Sequence, residues 1–221
     1  PKCSCDLLCI DKIGELFSKK HCLYVNSGSS ALFIGVESFN FPDGSEVITP
    51  ALTFSTSIGC LVKNNLVPVF TDVEPLTYNI DCSQIEELIS DKTVAILAPN
   101  LMGNLCDWPT IRKIADKYKL IVIEDSADTL GATINGKSSG FYSDMSITSF
   151  YGSHIINCAG NGGALAINDD NVMESLTYCW ENKLDACVLM RNKNGKLVLR
   201  FQTKNFINKD LFLKKIYQAS I

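Results

Sequence analysis

The sequence predicts an α/β protein with a mainly parallel sheet and flanking helices, and two observations support this prediction. Short apolar runs bounded by turn residues recur along the chain, and stretches with helical spacing separate several of them. Strands buried on both faces have such continuous apolar runs, and alternation with helices favours parallel pairing. Hydrophobic residues make up 46% of the 221 residues and charged residues 20%, which is a composition able to bury a large core.

The predicted elements follow from these runs in chain order. Six buried strands are expected at Glu46–Thr49, Val67–Asp72, Val94–Ala98, Leu120–Asp125, Met145–Phe150 and Ala164–Asn168. Four helices are expected at Ser30–Phe39, Ser55–Lys63, Ser83–Ile89 and Pro109–Tyr118. The last helix is preceded by Asp107-Trp108, and an acid followed by proline is typical of a helix start. Ligands of such sheets bind at the carboxyl ends of the strands, where several polar residues lie.

The final part of the chain has a weaker pattern. Residues 191–196 are expected to form an exposed turn, because asparagine, lysine and glycine dominate them. Residues 205–221 are expected to form one amphipathic packing helix. The sequence therefore predicts one large domain over residues 1–190 and an unassigned tail over residues 191–221.

Charge and hydropathy exclude several classes of partner. The net charge of −4 is spread along the chain, which gives no reason to expect nucleic acid or an anionic membrane surface as a partner. No apolar stretch approaches the roughly 20 residues of a membrane span, and no signal-peptide pattern is present. We therefore expect a cytoplasmic protein.

The ten cysteines are scattered and show no C-x2-C spacing of a zinc site. Reduced thiols of a cytosolic protein are the expected state. Cys3, Cys5 and Cys9 could hold a metal together, but a chain terminus frays and isolated thiols are the favoured interpretation. No metal site is predicted.

A small-residue turn at residues 24–32 precedes a helical pattern and brings Ser29 and Ser30 to a helix start. Backbone N–H groups and hydroxyls converge at such a position, and this geometry binds phosphate. An ordinary helix cap is the alternative for this motif taken alone.

Two further candidates follow predicted strands. Asp125 ends an apolar strand, where a carboxylate either points into a ligand cleft or caps the next turn. Phe54 follows the strand that ends near Thr49, and an aromatic residue in such a place is most often part of the core. A ligand contact is the alternative interpretation of Phe54.

The run from Ser149 to Gly163 carries the most specific pattern in the chain. It reads Ser-Phe, three further residues, His154, and later Gly162-Gly163. The run resembles a segment of the DegT-type sugar aminotransferases, a branch of the fold-type I pyridoxal-phosphate enzymes, in which a lysine stands at the histidine position. Further matches occur in the same order over roughly residues 20–170, so chance agreement is improbable.

The resemblance implies a cofactor and a role for each candidate. The cofactor would be pyridoxal 5′-phosphate or pyridoxamine 5′-phosphate, with Asp125 pairing with its ring nitrogen and Phe54 stacking on its ring. Asp128 stands where the family commonly has glutamine or histidine in contact with the phenolic oxygen of the cofactor. The expected phosphate contacts are Ser29, Ser30 and Ser149.

Histidine in place of the lysine implies a different reaction from amino transfer. Imidazole cannot bind the cofactor covalently in a stable form, but it titrates near neutral pH and serves as a general base. The site resembles the sugar 3-dehydratases, which remove the C3 hydroxyl of a nucleotide-linked 4-keto-6-deoxyhexose in deoxysugar biosynthesis. Their pattern implies His154 as the base that deprotonates the exocyclic carbon of the cofactor. Ser126 stands where an iron–sulfur subgroup has cysteine, so we expect regeneration of the amine by glutamate and no cluster.

Alternatives to the dehydratase remain open at this stage. The chain could be a catalytically degenerate or regulatory member of the family, or a sugar aminotransferase with an unconventional lysine. The resemblance also implies a homodimer. Family chains are much longer and add a small domain, so we expect this chain to be truncated relative to them.

Overall fold

A nine-stranded sheet organises the computed structural model, which describes residues 11–154, 156–157, 161–173, 187–191 and 197–201. Its strands are β1 (His21–Val25), β2 (Glu46–Pro50), β3 (Val67–Thr71), β4 (Thr93–Pro99), β5 (Ile121–Asp125), β8 (Met145–Ser149), β9 (Gly163–Ile167), β10 (Cys187–Arg191) and β11 (Leu197–Phe201). They lie in the order β11-β10-β1-β9-β8-β5-β4-β2-β3. Pairing is parallel from β3 through β2, β4 and β5 to β8, and antiparallel from β8 through β9, β1 and β10 to β11. Because only β9 and β10 oppose the common direction, the expected mainly parallel sheet is confirmed.

Helices cover both faces of this sheet. A helical segment at residues 11–16, here α1, precedes the first strand. Four further α-helices lie wholly within the described residues: α2 (Gly28–Ser38), α3 (Ser55–Lys63), α4 (Ile85–Leu88) and α5 (Trp108–Tyr118). Within the described residues, no helix is long and apolar enough to cross a membrane.

Strand β4 shows why the central strands have continuous apolar sequences. Ala95 and Leu97 belong to the core on one face, where α2 and α3 pack. Ile96 and Ala98 belong to the core on the other face, together with Trp108 of α5. Because successive side chains of a strand point to opposite faces, a sheet with helices on both faces needs apolar residues at every position.

The six predicted strands and three of the four predicted helices are found with ends shifted by at most two residues. Asp107 caps α5 by accepting a hydrogen bond from the backbone N–H of Thr110, as its sequence indicated. The predicted helix Ser83–Ile89 is instead a 3₁₀ turn at Cys82–Gln84 followed by the short α4. Asp81 caps this turn by accepting a hydrogen bond from the backbone N–H of Ser83.

Several strands were not predicted. β1 contains histidine, cysteine and tyrosine in five residues, so its apolar pattern is short although it lies inside the sheet. β6 (Thr133–Ile134) and β7 (Lys137–Ser138) form a small hairpin around Asn135-Gly136, both with positive φ. β10 and β11 fall in the region assigned a weak pattern. Of the exposed turn predicted at 191–196, Arg191 is the last residue of β10 and residues 192–196 lie outside the described residues. The helix predicted at 205–221 also lies outside them.

Close backbone approach at one end of the sheet depends on two glycines. A Cβ atom on Gly163 of β9 would lie 2.3 Å from the carbonyl of Ser27 and 2.5 Å from the backbone nitrogen of Gly28. A Cβ atom on Gly28 would lie 2.7 Å from the Cβ of Ser149. The start of α2 can therefore lie against the ends of β8 and β9 only because both positions lack a side chain.

We expect Gly163→Ala to destabilise the protein by about 1–3 kcal/mol, because backbone must move to admit the methyl group. Thermal or urea unfolding measures this change. Gly59→Ala is the matched control, since a Cβ atom there, in the middle of α3, meets nothing within 4 Å. That control should be stabilised by roughly 0.5–1 kcal/mol through the higher helix propensity of alanine. Equal stability of the two variants would contradict the close-approach argument.

Candidate functional site

A cavity of about 500 Å³ lies at the carboxyl ends of β4, β5 and β8. Pro99, Asp125 and Ser149 are the last residues of these strands, and all three line the cavity. The starts of α2 and α3 contribute Gly28 and Thr56 from the opposite side. The size suits a small-molecule ligand, and the position is the one expected for ligands of parallel sheets.

One end of the cavity is formed by the N-terminus of α2. Ser27 caps this helix, because its Oγ accepts from the backbone N–H of Ser30 at 3.1 Å. The backbone N–H groups of Gly28 and Ser29 precede the first intrahelical hydrogen bond, and no acidic residue stands in the first turn. Ser29 Oγ donates to Thr56 Oγ1 at 3.0 Å, which joins the starts of α2 and α3. Amides, hydroxyls and the helix dipole together favour an anion here.

The deepest charged group of the cavity is Asp125. Its Oδ1 accepts from the backbone N–H of Ala127 at 3.1 Å, and its Oδ2 accepts from Ser57 Oγ at 3.4 Å. Burial raises the pKa of the carboxyl from 3.8 to about 6, and these two hydrogen bonds oppose part of that rise. A buried carboxylate in this state is stabilised by a cationic ligand group.

His154 lies at the same cavity and is held by an acid. Its Nδ1 lies 3.0 Å from Oδ1 of Asp128. Its backbone N–H donates to the carbonyl of Tyr151 at 2.9 Å, which closes a tight turn after β8. The Tyr151 N–H donates to Ser149 Oγ at 3.3 Å, so the end of β8 anchors this turn.

Aromatic residues stand at the cavity mouth. Phe54 is 67% exposed and lines the cavity, so it is not part of the core. Tyr151 packs edge-on to the imidazole of His154, with ring centroids 6.2 Å apart. Exposed rings beside a cavity offer apolar surface to a planar ligand.

The structure brings six of the seven predicted site residues to this one cavity: Ser29, Phe54, Asp125, Asp128, Ser149 and His154. Ser30 does not line it. Its Oγ lies 3.0 Å from Ser27 Oγ and its N–H is bound by the cap. The predicted contact of Ser30 with phosphate therefore stays a prediction.

Sequence reasoning missed several residues that line or support the cavity. Ser57 binds the carboxylate of Asp125 from α3, and no local pattern distinguishes it from other helix serines. Ser27 could have been found, since a serine before a helical pattern is a typical N-cap. Other unpredicted lining residues include Leu52, Thr53, Thr56, Asn100, Tyr151, Ser153 and Asn161.

The described lining residues include no lysine and no arginine. Within the same described part of the chain, no group of three histidine, cysteine or acidic side chains could hold a metal ion. Cys3, Cys5 and Cys9 lie outside the described residues. The ionisable side chains that line the cavity are Asp125, Asp128, Tyr151 and His154.

Comparison with known proteins gives a family match over most of the chain. The model of the DegT/DnrJ/EryC1/StrS aminotransferase family matches residues 11–194. GDP-perosamine synthase of Caulobacter vibrioides is 38% identical over 153 residues, which are 69% of this chain and 41% of that protein. The dTDP-4-dehydro-2,6-dideoxy-D-glucose 3-dehydratase of Saccharopolyspora spinosa is 34% identical over 184 residues, covering 76% of this chain and 40% of that protein.

A solved structure supports the same match. The E. coli GDP-4-keto-6-deoxy-D-mannose-3-dehydratase with bound hydrated PLP has a TM-score of 0.72 at 30% identity, covering 77% of this chain and 45% of that one. The chain thus spans about two fifths of the length of the curated relatives it matches, 41% and 40% respectively.

We expect Asp125→Asn to stabilise the ligand-free protein at neutral pH. The unfolded carboxyl ionises near pH 3.8 and the folded one near pH 6, so folding opposes ionisation. In the wild type, the contribution of the Asp125 carboxyl to the free energy of unfolding is fully present below about pH 4 and is lost as the pH rises through 6. The variant should gain on the order of 2 kcal/mol at pH 7, and the gain should vanish toward pH 4.

Urea unfolding at several pH values measures the effect of Asp125→Asn. Asp170→Asn is the control of opposite sign, because Lys20 and His21 lower the pKa of the Asp170 carboxyl. The free energy of unfolding of Asp170→Asn should not rise above that of the wild type at neutral pH. A pH-independent effect of Asp125→Asn would contradict the burial argument.

Proposed function

This chain belongs to the DegT/DnrJ/EryC1/StrS aminotransferase family, and from that premise we propose that it binds pyridoxal or pyridoxamine 5′-phosphate and acts as a nucleotide-sugar 3-dehydratase. The observation that supports the reaction type is His154 at a cavity whose described lining includes no lysine. An imidazole there can move protons but cannot bind the cofactor covalently in a stable form.

The residues present fit the proposed cofactor. Gly28 and Ser29 offer backbone N–H groups, and Ser29, Thr56 and Ser149 offer hydroxyls, to its phosphate. The buried Oγ1 of Thr53 has no hydrogen-bond partner among the described residues and lines the same cavity. A ligand with polar atoms would satisfy this hydroxyl, whose burial without a partner is otherwise costly.

Asp125 would hold the ring nitrogen in its protonated form. The raised pKa of this carboxyl reflects burial without a cation, and a bound cation would return the carboxylate to its ionised state. Phe54 would cover the ring from the mouth of the cavity. The cofactor in its amine form supplies a group that condenses with a sugar ketone and a ring that accepts electrons.

His154 would act as the general base of the dehydration. It accepts the proton that must leave before the hydroxyl next to the sugar ketone departs. Two relatives whose names give 3-dehydratase activity act on dTDP- and GDP-linked sugars. We therefore propose a nucleotide-linked 4-keto-6-deoxyhexose as substrate, glutamate as amino donor and a homodimer as the active form.

Amino transfer to a sugar is the second candidate function. The family description names aminotransferases, and this favours it. It requires a lysine that reaches the cofactor, and the described lining supplies none. A catalytically degenerate or regulatory protein is the remaining alternative, and it would not convert a keto sugar.

Absorbance spectra distinguish these functions. The purified protein is mixed with pyridoxal phosphate, treated with borohydride and mapped by mass spectrometry, and a parallel sample receives glutamate. We expect binding without covalent attachment, and conversion to the amine form by glutamate. A covalent adduct on a cavity lysine would favour amino transfer, and absence of binding would favour the degenerate protein.

We expect His154→Asn to lower the dehydration rate by about 100-fold or more, because the general base is lost. The trial substrate is GDP-4-keto-6-deoxy-D-mannose with pyridoxamine phosphate and glutamate, followed by mass spectrometry. Cofactor affinity should stay unchanged.

The other histidine of the chain provides the matched control for this variant. His21 lies on β1 and contacts Asp170 away from the cavity. His21→Asn should leave the rate unchanged. Dehydration that continues in His154→Asn would remove the base assignment.

A further inference from the structure

We infer that Asp128 is a positioning residue that holds Nδ1 of His154 and leaves Nε2 as the basic atom. This inference rests on the proposed function, because it specifies how the proposed base is oriented. It gives Asp128 a role different from the cofactor contact that the sequence suggested. The contacts of both side chains carry the argument.

The carboxylate of Asp128 is engaged through both oxygens. Oδ1 lies 3.0 Å from Nδ1 of His154, and Oδ2 accepts from the backbone N–H of Met102 at 3.3 Å. Met102 lies in the left-handed conformation in the loop that follows β4. The carboxylate is therefore tied to a neighbouring strand end while it faces the imidazole.

Two further contacts place the imidazole at the cavity. Its backbone is fixed by the turn that begins at Tyr151, and the Tyr151 ring stands edge-on to it. The His154 side chain is 21% exposed and that of Asp128 39%, so the pair is partly withdrawn from water. Within the described residues, Nδ1 has a hydrogen-bond partner and Nε2 has none.

An ionised carboxylate can only accept hydrogen bonds. Nδ1 must therefore carry the hydrogen, and the lone pair of the neutral ring lies on Nε2. When Nε2 takes a proton, the adjacent negative charge stabilises the imidazolium. Asp128 thus contributes both orientation and charge compensation to the proposed base.

Asparagine at position 128 would reverse this preference. Its amide nitrogen can donate to Nδ1, which moves the ring hydrogen to Nε2 and removes the lone pair from the basic position. The side chain has the same shape, so the fold is retained. An Asp128→Asn variant therefore separates orientation from packing, whereas Asp128→Ala removes both.

The first test reads the tautomer without cofactor or substrate. The full chain is labelled with ¹⁵N-histidine, and long-range ¹H–¹⁵N spectra are recorded at a pH at which both imidazole rings are neutral. The chain has two histidines, so His21→Gln assigns the signals. We expect the His154 ring to carry its hydrogen on Nδ1 in the wild type and on Nε2 in Asp128→Asn.

The His21 signals serve as the internal control and should not change in Asp128→Asn. A His154 ring that carries its hydrogen on Nε2 in the wild type would overturn the inference. An unchanged His154 tautomer in a folded Asp128→Asn variant would do the same. Backbone amide spectra establish that the variant is folded.

The second test measures kcat and cofactor affinity together. A positioning role predicts that Asp128→Asn lowers kcat by about tenfold or more and leaves cofactor affinity unchanged. A direct cofactor contact predicts weaker cofactor binding, and that result would overturn the inference. If Asp128→Asn changes the His154 tautomer but the wild type binds no cofactor, the Asp128–His154 pairing is supported and the proposed function is not. The failure of this inference and the failure of the proposed function are therefore distinguishable.

Discussion

The buried carboxylate of Glu124 fixes the strand ends on which the cavity depends. It is fully buried and accepts hydrogen bonds from Ser126 at 2.6 Å, Ser146 at 2.7 Å, Ser143 at 3.1 Å and the amide of Asn100 at 3.3 Å. These donors come from the ends of β4 and β5, from β8 and from the turn before it. Loss of one donor would leave this buried side chain with fewer hydrogen bonds, at a cost of about 1–3 kcal/mol. Because adjacent strand residues face opposite sides, fixing Glu124 on one face directs Asp125 into the cavity.

Charge is distributed unequally along the cavity. Helix amides and hydroxyls surround Gly28 and Ser29 at one end, while Asp125 and Asp128 provide two carboxylates at the other. No lysine or arginine in the described lining balances these acids. The neighbouring Asp128 raises the pKa of Asp125 further, although burial is the larger cause. A ligand with an anionic group at one end and a cationic ring at the other complements this arrangement without a protein cation.

The sequence allowed the prediction of features that depend on local pattern, and it did not allow those that depend on distant contacts. Asp125 was predicted because it ends an apolar run, and strand ends in parallel sheets converge. Ser149 was predicted from the family resemblance of the run that it begins. Asn100 gave no such indication. Its amide donates to Ser126 Oγ while its carbonyl accepts from Trp108 Nε1 and the N–H of Cys106, and only the folded chain brings these groups together. Strand β1 was missed for a related reason, since its pairing with β9 and β10 compensates for a weak apolar pattern.

A short side chain at position 154 changes what the fold must provide. A lysine reaches a cofactor through four flexible methylene groups, whereas an imidazole is carried by one carbon and depends on its backbone for placement. Here the backbone is placed by the hydrogen bond from Tyr151 to Ser149 and by the turn that His154 closes onto Tyr151. The ring is then oriented by Asp128, which Met102 holds from the neighbouring strand end. All four contacts are made within the protein, and together they would preorganise the imidazole for the proposed role as a base.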